Sequence, residues 1–184
     1  VTVVLFVVSI FGMQDLGYEL FPKTDVGQME IIVRKESGTP LKSTEKDIEK
    51  MENIIREVLN TDLSQMVSNI GVFYDLPAAY TPNSGTQDAF IKVQLNEDRI
   101  NSTDSYVPIL RERFRTEFPG IEFSFNTGGL VTAALNEGKS SPIDVQVKGN
   151  DLTVLRKLSE RLRDTINKIS TTRDVRILQR IDQP

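Results

Sequence analysis

The sequence contains no cysteine and no histidine among its 184 residues. The first absence excludes disulfides and thiolate chemistry, and the second excludes imidazole ligands and histidine general bases. Carboxylate pairs are the remaining acid–base candidates, but those at Asp25, Asp62, Glu97 and Asp98 lie at predicted element ends, where carboxylates commonly cap helices and solubilise turns. We therefore predict that the chain is not an enzyme and carries no cofactor and no metal site.

A block of positive charge is also missing. The chain has 22 basic and 26 acidic side chains, a formal net charge of −4, and a pI near 5.0. Proteins that bind nucleic acids need clustered lysine and arginine to neutralise phosphates. We predict no nucleic-acid partner. The 39% hydrophobic and 26% charged residues are ordinary values for one domain or two small ones.

An uncharged apolar run opens the chain, from Val1 to Met13. A transmembrane helix needs about twenty apolar residues, so this run does not span a bilayer by itself. It also lacks the basic start and the cleavage site of a signal peptide. Two interpretations stay open: the end of a truncated transmembrane helix, which we favour, or a buried strand or helix of a soluble fold.

Residues 27–126 contain the order strand, helix, strand twice over, which predicts an α+β fold of the ferredoxin-like βαββαβ type. Such a fold has a four-stranded antiparallel sheet with both helices on one face, and its other face is free to contact something else. The periodicity predicts strands at Gly27–Lys35, Leu63–Phe73, Asp88–Leu95 and Ile121–Phe125, and helices from Ser43 or Thr44 to Leu59 and from Thr103 or Asp104 to Phe118.

A third unit follows Pro142. The pattern predicts a strand at Ile143–Val147, a helix that starts after a cap at Asp151, and a last strand at Asp174–Ile181. This is an incomplete βαβ unit of a second similar subdomain, and its sheet edge cannot be covered by its own residues. We expect it either to borrow strands from a second chain or to dock its sheet against the first domain.

Aromatic residues surround a predicted loop at 74–87. Phe73 and Tyr74 lie at its start, and Phe90 follows its end. Phe90 is out of phase with the aliphatic residues of its strand, so it should point to the uncovered sheet face. Such aromatics are typical of an adaptable apolar binding cleft, although packing against a neighbouring domain would also explain them.

Three segments complete the pattern: ELFPKTDVGQ at 19–28, FPGIEFSF at 118–125 and SPIDVQVKGN at 141–150. In this order and spacing they resemble the resistance-nodulation-division (RND) efflux transporters of the acriflavine-resistance type, over essentially the whole chain. The resemblance implies that the C-terminal half of such a transporter begins its porter region here. It implies five segments: a transmembrane helix end at 1–13, a connector at 14–26, a first porter subdomain at 27–128, a linker at 129–141 and part of a second porter subdomain at 142–184.

The resemblance also implies a function. Pumps of this family are proton-driven homotrimers of the bacterial inner membrane, and their porter region lies on the periplasmic side. They export amphiphilic small molecules together with a periplasmic adaptor protein and an outer-membrane channel. The family's aromatic pocket positions correspond here to Phe73, Tyr74, Phe90, Phe123 and Phe125. For Phe123 and Phe125 a conflict stays open, because their alternation with Ile121 favours the helix-covered face.

The same pattern also fits a function of another class. The chain could be a soluble ferredoxin-like regulatory or assembly domain that binds a partner protein and uses residues 1–13 as one of its own strands. Apolar stretches of about twenty residues upstream of Val1 would favour the transporter.

Overall fold

The computed structural model describes residues 2, 6, 25–71, 85–127 and 143–179. These residues contain four strands and three longer helices, and a 3₁₀ turn at Asn60–Asp62. In chain order the elements are β1 (Gln28–Arg34), α1 (Leu41–Leu59), β2 (Leu63–Ile70), β3 (Asp88–Leu95), α2 (Thr103–Glu117), β4 (Glu122–Asn126) and α3 (Leu152–Ile166).

The strands form one antiparallel sheet in the order β2-β3-β1-β4. This order, with α1 and α2 as the two connections on the same face, is that of the ferredoxin-like fold. The predicted fold class is confirmed. Because β1 and β3 are central, the free edges of the sheet belong to β2 and β4.

The core lies between the sheet and the two helices. Alternate residues of β1 and β3 face the helices, as the two-residue period predicted. In α1 and α2 the buried residues recur every three or four positions. The fully buried side chains include Met29, Ile31 and Val33 of β1, Ile91 and Leu95 of β3, Ile48, Met51, Ile55 and Leu59 of α1, and Leu110 and Phe114 of α2.

The start of α1 differs in detail from the expectation, whereas α2 begins at a predicted residue. Helix α1 begins two residues early, at Leu41, because Pro40 is the last extended residue and its carbonyl oxygen accepts the N–H groups of Ser43 and Thr44. Thr44 is buried instead of capping. Helix α2 begins at Thr103, and its Pro108 therefore lies in the second turn, on an exposed position.

The third unit departs further from the prediction. Helix α3 forms as expected, and the Asp151 carboxylate accepts the N–H groups of Thr153 and Val154. Residues 143–149 and 174–179, however, form no strand. The predicted strands there are wrong for these residues, because a strand needs a partner and the described part of the chain supplies none. No residue of α3 is buried.

Several expectations lie outside the described residues. These are the nature of the opening run, the loop at 72–84, the linker at 129–141, and the positions of Phe73 and Tyr74. Strand β2 ends at Ile70, and Gly71 follows with φ +94°. Over the part of the chain that the structure describes, no helix is long and apolar enough to cross a membrane.

Candidate functional site

The predicted aromatic residues lie on opposite faces of the sheet. Phe123 and Phe125 are paired in register with Val33 and Ile31, which are core residues, so both face the helices. Their ring centroids lie 5.7 and 5.9 Å from that of Phe114. The structure thus resolves the conflict in favour of the helix-covered face, where the three rings pack edge-on or tilted.

Phe90 lies on the face that carries no helix, as its phase predicted. It is half-buried, and the Lys92 ammonium lies 5.1 Å from its ring centroid. The strand register places it in a row of four residues across the whole sheet: Asn69, Phe90, Ile32 and Ser124. One face of the sheet therefore presents an apolar pair, Phe90 and Ile32, that leads towards the β4 edge.

The β4 edge is where the third unit contacts the first domain. Asp174 accepts two hydrogen bonds from the Arg111 guanidinium of α2, at 3.1 and 2.7 Å, and one from the backbone N–H of Phe125, at 3.1 Å. The same guanidinium lies 5.2 Å from the Phe125 ring centroid. Asp174 has φ +56°, a conformation that aspartate tolerates better than most residues. One carboxylate thus joins a helix, an edge strand and a distant segment.

Two further arginines complete this contact. Arg34 of β1 donates to the carbonyl oxygens of Ile177 and Leu178, both at 3.0 Å. Arg176 donates to the Ser124 hydroxyl and so lies against the end of the Phe90–Ile32 row. Burial and the charge of Arg34 lower the pKa of the Arg176 guanidinium. The third unit therefore docks on the first domain through side chains, not through a paired sheet.

A groove of about 540 Å³ opens beside this contact. Its volume is within the range of small-molecule sites. The apolar part of its wall comes from Ile32, Phe118, Ile121 and Phe123, and the third unit contributes residues 172–176 and Asn167, which follows α3. Of the predicted site residues it brings in Phe123 directly, and Phe90 is the cross-strand neighbour of Ile32.

Five arginines also line this groove, and none of them was among the predicted site residues. They are Arg34, Arg111, Arg115, Arg173 and Arg176. No sequence signal groups them, because they are distributed over 143 positions, on β1, on α2 and on a segment that forms no helix or strand. Only the RxxxR spacing of Arg111 and Arg115, one turn apart on α2, could have suggested a shared helix face.

Comparison with known proteins places the chain in a family. A family model described as the AcrB/AcrD/AcrF family matches residues 1–184. A crystal structure of a heavy metal efflux pump has the same fold, with a TM-score of 0.74 in one crystal form and 0.70 in another, at 17% sequence identity. No curated protein sequence matches the chain significantly.

The structural match covers 94% of this chain and 18% of the pump's chain, so the chain spans about a fifth of the length of the pump that it resembles. The family match favours a transporter over the alternative of a soluble regulatory or assembly domain. Because the family model spans every residue, the chain belongs to the AcrB/AcrD/AcrF family of RND efflux transporters, and its ferredoxin-like domain is part of their porter region.

Proposed function

We propose that the chain is the porter segment of a proton-driven efflux pump and that the groove at the β4 edge binds amphiphilic small molecules during export. The observation that carries this proposal is the composition of the groove. The apolar side chains of Ile32, Phe118, Ile121 and Phe123 line it together with charged side chains from both the first domain and the third unit. An amphiphile requires this combination, because its hydrocarbon part contacts the apolar side chains and its head group contacts the polar ones.

The proposal includes the division of the chain. Residues 27–128 would be the first porter subdomain and 142–184 the start of the second, so that the groove lies between them. Grooves between subdomains can open and close when the subdomains move, as a transport cycle requires. Residues 1–13 would end a transmembrane helix that places this segment on the periplasmic side of the inner membrane.

The partners are part of the same proposal. The intact pump would be a homotrimer that passes its substrate to an outer-membrane channel with the help of a periplasmic adaptor protein. Phe90, with Phe73 and Tyr74, would extend the binding surface along the helix-free sheet face. No residue of this chain is proposed for proton coupling, and transport, not covalent catalysis, is the proposed activity.

A metal ion is a less well supported substrate, although the similar structure is a heavy metal efflux pump. The chain has no cysteine and no histidine. Met29 and Met51 are 2% and 0% exposed, and Met66 packs against the same core. Within the described residues, no cluster of acidic side chains is arranged to hold an ion. Of the methionines that the structure describes, Met29 and Met51 are therefore inaccessible to such an ion, and Met66 is partly buried.

Substitution of Asn167 tests the groove. Asn167 is exposed at the groove and its side chain forms no hydrogen bond with described residues, so Asn167→Trp should fill the groove without disturbing the core. In cells that lack other pumps, the full-length transporter with this change should lose export of amphiphilic dyes, while its membrane level stays normal. Lys157→Trp, an exposed position on α3 away from the groove, is the control. Equal export by both variants would contradict the proposal.

A further inference from the structure

The charge of the groove is opposite to that of the chain. The whole sequence has a formal net charge of −4. The groove is lined by five arginines and only two carboxylates, Glu122 and Asp174, which leaves a surplus of three positive charges. A concave surface with walls of low dielectric concentrates the field of such charges and attracts ligands of the opposite sign.

The arginines differ in how far they are already neutralised. Arg111 is paired with Asp174 at 2.7 Å, and Arg34 has Asp88 at 3.8 Å. For Arg115, Arg173 and Arg176, the described residues supply no carboxylate within ion-pair distance. Arg173 donates only to the carbonyl oxygens of Ser170 and Thr172, and Arg176 to a hydroxyl. Asp174, Glu30 and Glu122 offset part of the charge of Arg176, so Arg115 and Arg173 are the two guanidinium groups left to balance a negative charge.

The position of these groups beside apolar side chains matters as much as their number. Arg115 lies on α2 one turn before Phe118, and Arg176 contacts Ser124, which follows Phe123 in β4. An inorganic anion would use the arginines but not the apolar wall. A cationic amphiphile would use the wall but would be repelled by the surplus charge. A molecule with a hydrocarbon body and a negative head group uses both.

We propose that the groove selects amphiphiles with an anionic head group, a carboxylate, sulfate or sulfonate, which Arg115 and Arg173 bind. Guanidinium groups suit such oxyanions because they donate two parallel hydrogen bonds. This inference rests on the proposed function, since it names the substrate class of the same groove. It predicts a preference by charge that the apolar wall alone would not give.

The test compares three probes with the same twelve-carbon chain: dodecyl sulfate, dodecyl maltoside and dodecyltrimethylammonium. Cells that lack other pumps express the full-length transporter, and the concentration of each probe that halves growth is measured. The variants are Arg115→Gln, Arg173→Gln and their combination. Arg115→Lys keeps the charge. Arg161→Gln removes an exposed arginine of α3 outside the groove and is the matched control.

We expect the wild type to protect best against dodecyl sulfate. For cells with the double variant, the dodecyl sulfate concentration that halves growth should fall about fivefold, the change that about 1 kcal/mol of binding free energy produces. Their protection against dodecyltrimethylammonium should stay the same or improve. Arg115→Lys and Arg161→Gln should resemble the wild type.

Two outcomes would overturn the inference. One is that the double variant protects against dodecyl sulfate as well as the wild type does. The other is that it loses protection against all three probes equally, whatever its protein level. If the wild type protects against none of the probes, the proposed function itself fails, and the two failures are thereby distinguished.

Discussion

Asp174 and Arg111 form a two-bond ion pair, at 3.1 and 2.7 Å, across 63 positions of the chain. Both side chains are about four-fifths buried, so water screens the pair only weakly. The Asp174 carboxylate also accepts the Phe125 N–H at the β4 edge. Together with the hydrogen bonds of Arg34 and Arg176, this pair holds the segment that forms one side of the groove.

Asp174→Asn should loosen that segment. Asparagine tolerates the φ of +56° and keeps the size of the side chain, so the loss is that of the charge paired with Arg111. Hydrogen bonds to charged groups contribute about 1.5–3 kcal/mol, so amide hydrogen exchange of Phe125 and of residues 172–178 should accelerate about tenfold. Asp164→Asn removes an exposed carboxylate that pairs only with its neighbour Arg163, and should change nothing. Equal exchange rates in both variants would show that Asp174 does not hold this segment against β4.

Asp25 should make stability depend on acid pH. Burial opposes its ionisation, but hydrogen bonds from Thr103, Gly27 and Arg99 outweigh burial and lower the pKa from 3.8 to about 2. A lowered folded-state pKa adds stability that is present above pH 4 and is lost as the pH falls towards 2. The carboxylate is 36% exposed, so solvent screening reduces the contribution to about 1 kcal/mol.

The measurement for Asp25 is urea unfolding of Asp25→Asn and the wild type at pH 6 and pH 2.5. We expect the variant to be less stable at pH 6, because Asp25 accepts the first N–H of α2 from Thr103 at 2.9 Å, and the difference to shrink at pH 2.5. Asp98→Asn, in the exposed turn after β3, is the control. A difference that grows at low pH would refute the assignment.

Two phenylalanines should differ sharply in their effect on stability. Phe114 is fully buried against Phe118, Phe123 and Phe125, so Phe114→Ala should lower the free energy of unfolding by about 3–5 kcal/mol. Phe90 is half-buried on the helix-free face, so Phe90→Ala should cost about 1 kcal/mol, judged from the smaller apolar area that it buries. In the intact pump Phe90→Ala should lower export of large amphiphiles at normal protein level. If Phe90→Ala lowered the free energy of unfolding as much as Phe114→Ala does, the Phe90 ring would be part of the packed interior and not of a binding surface.

Local periodicity predicted what depends on near neighbours. The two-residue period of β3 placed Phe90 on the outer face, and the helical period predicted α1, whose buried residues include Ile48, Met51 and Ile55. The four-stranded sheet followed from repetition of the strand–helix–strand unit. These features need only residues a few positions apart.

Features that depend on distant residues could not be predicted. Asp25 caps α2 from 78 positions away, and the groove arginines come together only when residues 172–176 dock on β4. The apolar alternation of 143–147 indicated a strand, but the described residues contain no partner for it. Ile109 shares the helical spacing of its neighbours, yet it is 51% exposed, because Tyr106, Leu110 and Phe114 already fill the space under the sheet.

The most direct test of the groove as a substrate site is protection from chemical labelling. This chain has no cysteine, so single cysteines can be introduced at Asn167, which lines the groove, and at Lys157, which does not. The labelling rate by a maleimide is measured in the full-length transporter, with other cysteines replaced, with and without dodecyl maltoside and dodecyl sulfate. Binding in the groove predicts slower labelling of Asn167→Cys and an unchanged rate for Lys157→Cys. Equal rates at Asn167 with and without both amphiphiles would contradict the account.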